Sequence, residues 1–213
     1  MTTKQLSFQS TNWKYRFAHG GSLRKLAKGR GARPVSSREP LHLVFKINKA
    51  KMRGGLRGFK SQKIIKFLFQ KYAKKFFVRI DQLTIQHDHI HVIVRSPRRF
   101  YFQSFFKVIA GQISQVFQKQ GLLKSDDELL KSNDELLKSN DELLKPDRRM
   151  TGTSKRTGLW KYRPFSRVIR GWKAYGIVRD YLQLNELEAL GHIPYRKLRL
   201  KGLSFSEWSV LWA

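Results

Sequence analysis

Three of the chain's six histidines fall within five residues, His87, His89 and His91, in the run QHDHIHVIV. The β-branched residues around them predict a strand, on which side chains alternate between faces. His89 and His91 therefore share one face, with Ile90, Val92 and Val94 turned to the core, and two imidazoles so placed can both reach one cation. The plain reading is two polar side chains on the open face of a half-buried strand. The sharper reading is a metal site, favoured by the apolar spacer, the hairpin position and a basic chain with few other ligands. His87 falls in the turn and reads as a bystander or as a group that orients a ligand. Two histidines do not complete a coordination shell, so a polar side chain, a phosphate oxygen or water must join them. A second constellation lies in RDYLQLNE, where Tyr181 and Asn185 stand four apart and share a helix face. Tyr181 could serve there as a nucleophile with an amide one turn away leaning on the same ion, or it could be a core residue of an amphipathic helix.

These residues need elements to hold them. Residues 41–47 (LHLVFKI) predict a strand, followed by a glycine-rich basic loop over 51–60. Ser61 is a candidate cap for a helix whose apolar face carries Ile64, Ile65, Leu68, Phe69, Tyr72 and Phe76. Residues 77–85 and 89–95 predict strands of a hairpin, with Gln86, His87 and Asp88 as its polar break. A second helix is predicted over 102–119, an extended segment over 159–169, and a helix over 172–190 with Gly191 as its stop. This order fits an α+β fold, an antiparallel sheet covered on one face by helices.

Composition narrows the partner. The chain has 213 residues, enough for one domain with a core, and 44 lysines and arginines against 15 acidic residues give +29. Such a charge calls for a polyanion, with nucleic acid the leading candidate. No run approaches the roughly 20 apolar residues of a membrane span, and no N-terminal stretch reads as a secretion signal, so a cytoplasmic, nucleoid-associated protein is expected. With no cysteine, disulfides, thiolate metal sites and cysteine nucleophiles are excluded. An aromatic content of 13% supports both a packed core and surfaces on which unpaired bases could stack.

Three segments stand apart. Residues 1–40 mix glycines with Arg24, Arg30 and Arg33 and read as a flexible basic arm, while 193–213 form a basic and aromatic tail. Residues 124–147 hold a tandem heptad, KSDDELL then KSNDELL twice, with 8 acidic and 4 basic residues. Its Ser-x-x-Glu units are capping-box patterns, so a helical or mobile acidic spacer is expected, or a segment that covers a basic surface or pairs with another chain.

The ordered set of His89-Ile90-His91, then Trp160-Lys161-Tyr162-Arg163 leading to Val168-Ile169-Arg170, then Asp180-Tyr181-Leu182-Gln183-Leu184-Asn185 resembles the HUH single-tyrosine transposases. Within them it is most similar to the REP-associated tyrosine transposases. The likeness covers about residues 20–120 and 158–192. It implies a ferredoxin-like nuclease domain over 41–192, interrupted by the acidic insertion. It also implies Mg²⁺ or Mn²⁺ on His89 and His91, Asn185 as a third ligand, and Tyr181 as the nucleophile that forms a 5′-phosphotyrosine. Single-stranded or hairpin DNA would be the partner, with a homodimer as one arrangement. Arg30, Arg33, Arg98, Arg99, Lys161 and Arg163 are candidates for phosphate contacts; Trp160 or Tyr162 could stack a base or pack in the core. Departures are Asn185-Glu186, where members commonly carry Asn-Pro, Asp88, where Asn or Glu is more familiar, and the repeat itself. Rival readings are a replication initiator or relaxase using the same chemistry, and a nucleic-acid-binding protein without catalysis.

Overall fold

Leu41, Leu43 and Phe45 alternate with His42 and Val44, and Ile90, Val92 and Val94 with His91 and Ile93, so each strand has two faces to cover. The chain meets this demand with one five-stranded antiparallel sheet. A computed structural model of the protein describes residues 17–21, 33–125, 128, 158–195, 204–206 and 209. The strands are β1 (Ala18–His19), β2 (Leu41–Lys46), β3 (Arg79–Ile85), β4 (His89–Arg95) and β5 (Phe165–Val168), in spatial order β1-β5-β2-β4-β3. The helices are α1 (Phe59–Lys75), α2 (Arg99–Lys119) and α3 (Trp172–Leu190).

Without the two-residue edge strand β1, this is the βαββαβ arrangement of a ferredoxin-like fold, with β2 and β4 central. The α+β class and the antiparallel sheet are as expected. Helices α1 and α2 cover one face, where Phe69, Phe102, Phe105, Ile109 and Phe117 bury Leu43, Phe45, Ile90 and Val92. The third helix lies on the other face: Leu182 packs with Ile93 and Ile169 in a separate cluster. One face of helices therefore describes α1 and α2 only. Leu182 and Ile93 leave α3 no place among the first two helices, because Ile93 points away from Val92 and Val94.

Several boundaries differ from the sequence expectation, among them the start of α2, which is Arg99 rather than residue 102. Helix α1 begins at Phe59 with Gly58 as its cap residue, and Ser61 is a buried residue inside it. Strand β3 begins at Arg79, two residues later than expected, because Phe77 adopts φ 51° and turns the chain. Two parts of the region read as a flexible arm are seated on the sheet: Ala18 and His19 pair with Arg167 and Ser166, and the Arg33 guanidinium donates to the Pro164 carbonyl at 2.9 Å. Residues 1–16 and 22–32 lie outside the described residues.

The helix ends share one device. At α2 the N–H of Gly121 bonds the Gln118 carbonyl and that of Leu122 the Phe117 carbonyl; at α3 Gly191 and His192 bond Glu188 and Leu187. Both glycines have positive φ, the left-handed stop that glycine enters without a Cβ penalty. At α1 Phe77 and Val78 bond Lys74 and Ala73 in the same pattern, but the left-handed position holds phenylalanine.

Of the acidic repeat, Lys124, Ser125 and Glu128 fall among the described residues. The Glu128 N–H donates to Ser125 Oγ and the Ser125 N–H to Glu128 Oε2, each at 3.2 Å, which is the reciprocal capping box. Arg53 of the basic loop donates to Glu128 Oε1 at 2.6 Å.

Candidate functional site

The β3–β4 hairpin positions the two histidines. Gln86 N–H bonds the His89 carbonyl at 2.8 Å and closes the turn, and the Leu56 N–H bonds the His87 carbonyl at 2.9 Å, tying the turn to the 51–58 loop. Gly55 lies so close under the His87 ring that a Cβ there would meet Cε1 and Nδ1 at 2.3 Å. His87 is therefore a packing element of the turn, outside the histidine pair.

His89 and His91 come together as the alternation requires, with ring centroids 4.6 Å apart and planes at 82°. Each ring is oriented through Nδ1. Asp88 Oδ1 lies 2.5 Å from His89 Nδ1, and His42 Nε2 lies 3.0 Å from His91 Nδ1. Such a bond fixes the plane of each ring, and Asp88, as an acceptor, also fixes the tautomer of His89. Burial pushes the Asp88 carboxyl upward, but the His89 hydrogen bond and the charges of His89, Lys46 and Lys49 outweigh it and hold the group below its ordinary range. Both lysine Nζ atoms lie 3.6 Å from Asp88 Oδ2. His42 is buried, and burial together with the neighbouring Arg167 pushes its pKa down to about 4, so it is neutral at pH 7.

Helix α3 brings the second constellation to this place. The Thr84 hydroxyl, on the residue paired with His91 across the sheet, donates to the Leu182 carbonyl at 3.4 Å. Gln86 Nε2 donates to the Asn185 carbonyl at 2.5 Å. These bonds set the face of α3 over the hairpin, and the Tyr181 ring meets the His91 ring edge-on, with centroids 5.6 Å apart and planes at 90°. One turn later Asn185 is buried, and its Nδ2 has no hydrogen-bond partner among the described residues. A flipped amide would put oxygen, an atom a hard cation takes, in the place of that nitrogen. Among the described residues no cluster of three or more His, Cys, Asp or Glu could hold a metal. The set expected from the sequence, two imidazoles and one amide, holds only two residues of those four types. Glu186, where proline is common in the resembled family, leaves α3 unbroken to Leu190, and its Oε2 lies 3.5 Å from the Thr84 hydroxyl.

The candidate phosphate contacts separate by environment. Arg98, Arg99, Lys161 and Arg163 are exposed. Arg33 is engaged: besides Pro164 it reaches Ser166 Oγ at 2.7 Å and lies over the Phe106 ring at 4.7 Å, and burial and Arg163 lower its pKa. Arg30 lies outside the described residues. Trp160 donates through Nε1 to the Ala110 carbonyl at 2.9 Å and packs on Phe45, so it belongs to the core.

Two residues escaped the sequence reading. His42 sits in an apolar strand 49 positions before His91 and becomes its neighbour only because β2 and β4 pair. The signal was its phase: alternating with Leu41, Leu43 and Phe45, it had to face away from that core. Asp81 is the other. The β3–β4 register shifts between Ile80 and Gln82, leaving Asp81 as the bulged residue. Its carboxylate accepts from Arg79 Nε at 2.9 Å, Arg95 Nε at 2.6 Å and the Tyr175 hydroxyl at 3.3 Å. It separates two arginines paired directly across the ladder and anchors the first turn of α3.

The comparisons with known proteins bear on the fold. Residues 39–131 match the family model described as "Transposase IS200 like". This segment holds β2 to β4 with His42, Asp88, His89 and His91; Tyr181 and Asn185 lie beyond it. A solved structure of a REP-associated tyrosine transposase bound to a REP hairpin is similar in fold, with TM-score 0.52 and 14% identity, over 87% of this chain and 92% of that one. A candidate transposase of Deinococcus radiodurans R1 also matches, at TM-score 0.36 and 14% identity, over 75% of this chain and 98% of the other. No curated protein matches the chain. Among the described residues no helix is long and apolar enough to cross a membrane.

Proposed function

We propose that the protein is a metal-dependent transferase of single-stranded DNA that cuts a strand by esterifying Tyr181 and rejoins strands by the reverse reaction. The observation that carries this reading is the meeting of the Tyr181 ring with His91 at 5.6 Å, inside one chain. A Mg²⁺ or Mn²⁺ ion on His89, His91 and Asn185 would polarise the scissile phosphate and favour the phenolate of a tyrosine whose ordinary pKa is near 10.

The chain's own residues do the rest. Asp88 and His42 each hold one imidazole in its own orientation, so that coordination needs no side-chain reorganisation. Tyr181 presents its phenolic oxygen in line with phosphorus; the bond to the leaving 3′ oxygen breaks, and a 5′-phosphotyrosine and a 3′-hydroxyl result. The phosphodiester is exchanged for another ester, so an incoming 3′-hydroxyl can reverse the attack and join strands without a nucleotide cofactor. Arg98, Arg99, Lys161 and Arg163 are the exposed cations for the backbone. The similar fold of a transposase solved with a REP hairpin supports a hairpin-bearing strand as the substrate.

The test mixes the purified protein with Mn²⁺ or Mg²⁺ and end-labelled, hairpin-bearing single strands. Cleavage should vanish with chelator and with His89→Ala or His91→Ala; cleavage that survives both would overturn the metal's role.

A further inference from the structure

Seven large aromatic side chains are exposed among the described residues, and two of them, Phe77 and Phe100 at 66% and 69%, belong to one group. They are not scattered. The Phe77 and Tyr101 ring centroids are 5.3 Å apart, and those of Phe100 and Tyr101 6.1 Å, so three rings form one patch. Phe77 adjoins the start of β3 and Phe100 follows the end of β4, where Arg79 pairs with Arg95. The patch therefore lies at the opposite end of the hairpin ladder from His89, about 20 Å away at the rise of a strand.

Backbone and charge say what it is for. Phe77 occupies the left-handed stop of α1, the position that Gly121 and Gly191 hold at the other two helices. A Cβ is disfavoured in that conformation and a bulky side chain more so, yet here the strained residue spreads its ring into solvent. Exposure means that core packing does not repay the strain. Exposed Lys74, Lys75, Arg79, Arg98 and Arg99 come from the same two segments. The sole carboxylate in residues 71–81 and 95–104 is Asp81, already bonded to Arg79 and Arg95. Open aromatic faces among cations fit unpaired bases with their phosphates, whereas an apolar protein partner would have to desolvate five positive charges.

We infer that Phe77, Phe100 and Tyr101 form a stacking platform for unpaired bases of the DNA strand, remote from the cleavage centre. The inference rests on the proposed reading of the chain as a single-strand DNA transferase, and its test is separate from cleavage.

Binding of a fluorescein-labelled dT 15-mer, and of a duplex of the same length, is measured by anisotropy across a salt series, with chelator present and in a Tyr181→Phe background. Phe77→Ala with Phe100→Ala should weaken dT binding roughly five- to a hundredfold and duplex binding little, with the salt slope unchanged, since stacking releases no counterions. Phe77→Gly, which suits the backbone, should fold with an undiminished melting temperature and show the loss from that ring alone. Phe77→Trp should bind and have its fluorescence quenched by dT. Unchanged dT affinity in the double variant, absence of quenching, or a shift only in self-association by sedimentation would overturn the platform. If the unsubstituted surface fails to bind dT at all, the proposed function fails with it.

Discussion

The two ends of the β3–β4 ladder are built on opposite principles. At the turn end the candidate groups are held: His89 by Asp88, His91 by His42, and α3 by Thr84 and Gln86. At the open end the rings of Phe77 and Phe100 face solvent among exposed cations. The difference matches what each end would do in the proposed reaction. Coordinating an ion and aligning a nucleophile tolerate little positional error, so neighbours must lock each side chain in place. Gripping a strand of variable sequence requires only accessible π faces and positive charge. Disturbing the first end should cost the reaction, and disturbing the second should cost affinity.

The largest effect is expected from the histidine pair. His91→Ala should lower the metal-dependent cleavage rate at least a hundredfold while dT binding stays within about twofold, because the ion's charge stabilisation is lost and the DNA surface is not. Single-turnover cleavage and anisotropy on the same preparation separate the two.

His42→Ala comes next. Loss of the partner at His91 Nδ1 should weaken Mn²⁺ binding, read by electron paramagnetic resonance, by roughly 10- to 100-fold. His42→Gln, whose amide oxygen can accept the same bond, should recover most of it. Equal loss in both variants would show that only packing is at stake.

Asp81→Asn probes the bolt between the two ends. It removes a buried carboxylate shared by two arginines and Tyr175, and the cost should be about 1 to 3 kcal/mol in urea unfolding, since both arginines are partly solvated. Mn²⁺ affinity should change little if the Thr84 and Gln86 bonds alone set α3 over the hairpin. The smallest effect belongs to the exposed cations. Arg98→Gln or Arg99→Gln should each reduce the slope of log affinity against log salt by about 0.7 for a single strand, without changing the single-strand preference.

Much of this was legible in the sequence, for identifiable reasons. The strand period placed His89 and His91 together, the helical period placed Tyr181 and Asn185 together, and Gly191 marked the end of α3. What the periods could not show was pairing at a distance. His42 meets His91 only through the β2–β4 ladder, and the side of the sheet taken by α3 depends on Ile93 meeting Leu182. The Asp81 bulge inserts one residue into a regular alternation, and a two-residue period carries no signal for that. Phe77 looked like strand because it is aromatic beside Val78, yet the helix stop overrode that propensity.

In the proposed reaction the Tyr181 phenol, and not the Tyr175 phenol of the same helix, takes the DNA phosphate. Tandem mass spectrometry of the protease-digested adduct, formed with a hairpin-bearing single strand and Mn²⁺, locates the nucleotide directly. The phosphonucleotide should sit on the peptide containing Tyr181 and be absent from the Tyr181→Phe protein; an adduct on any other residue, or one undiminished by that substitution, would contradict the account.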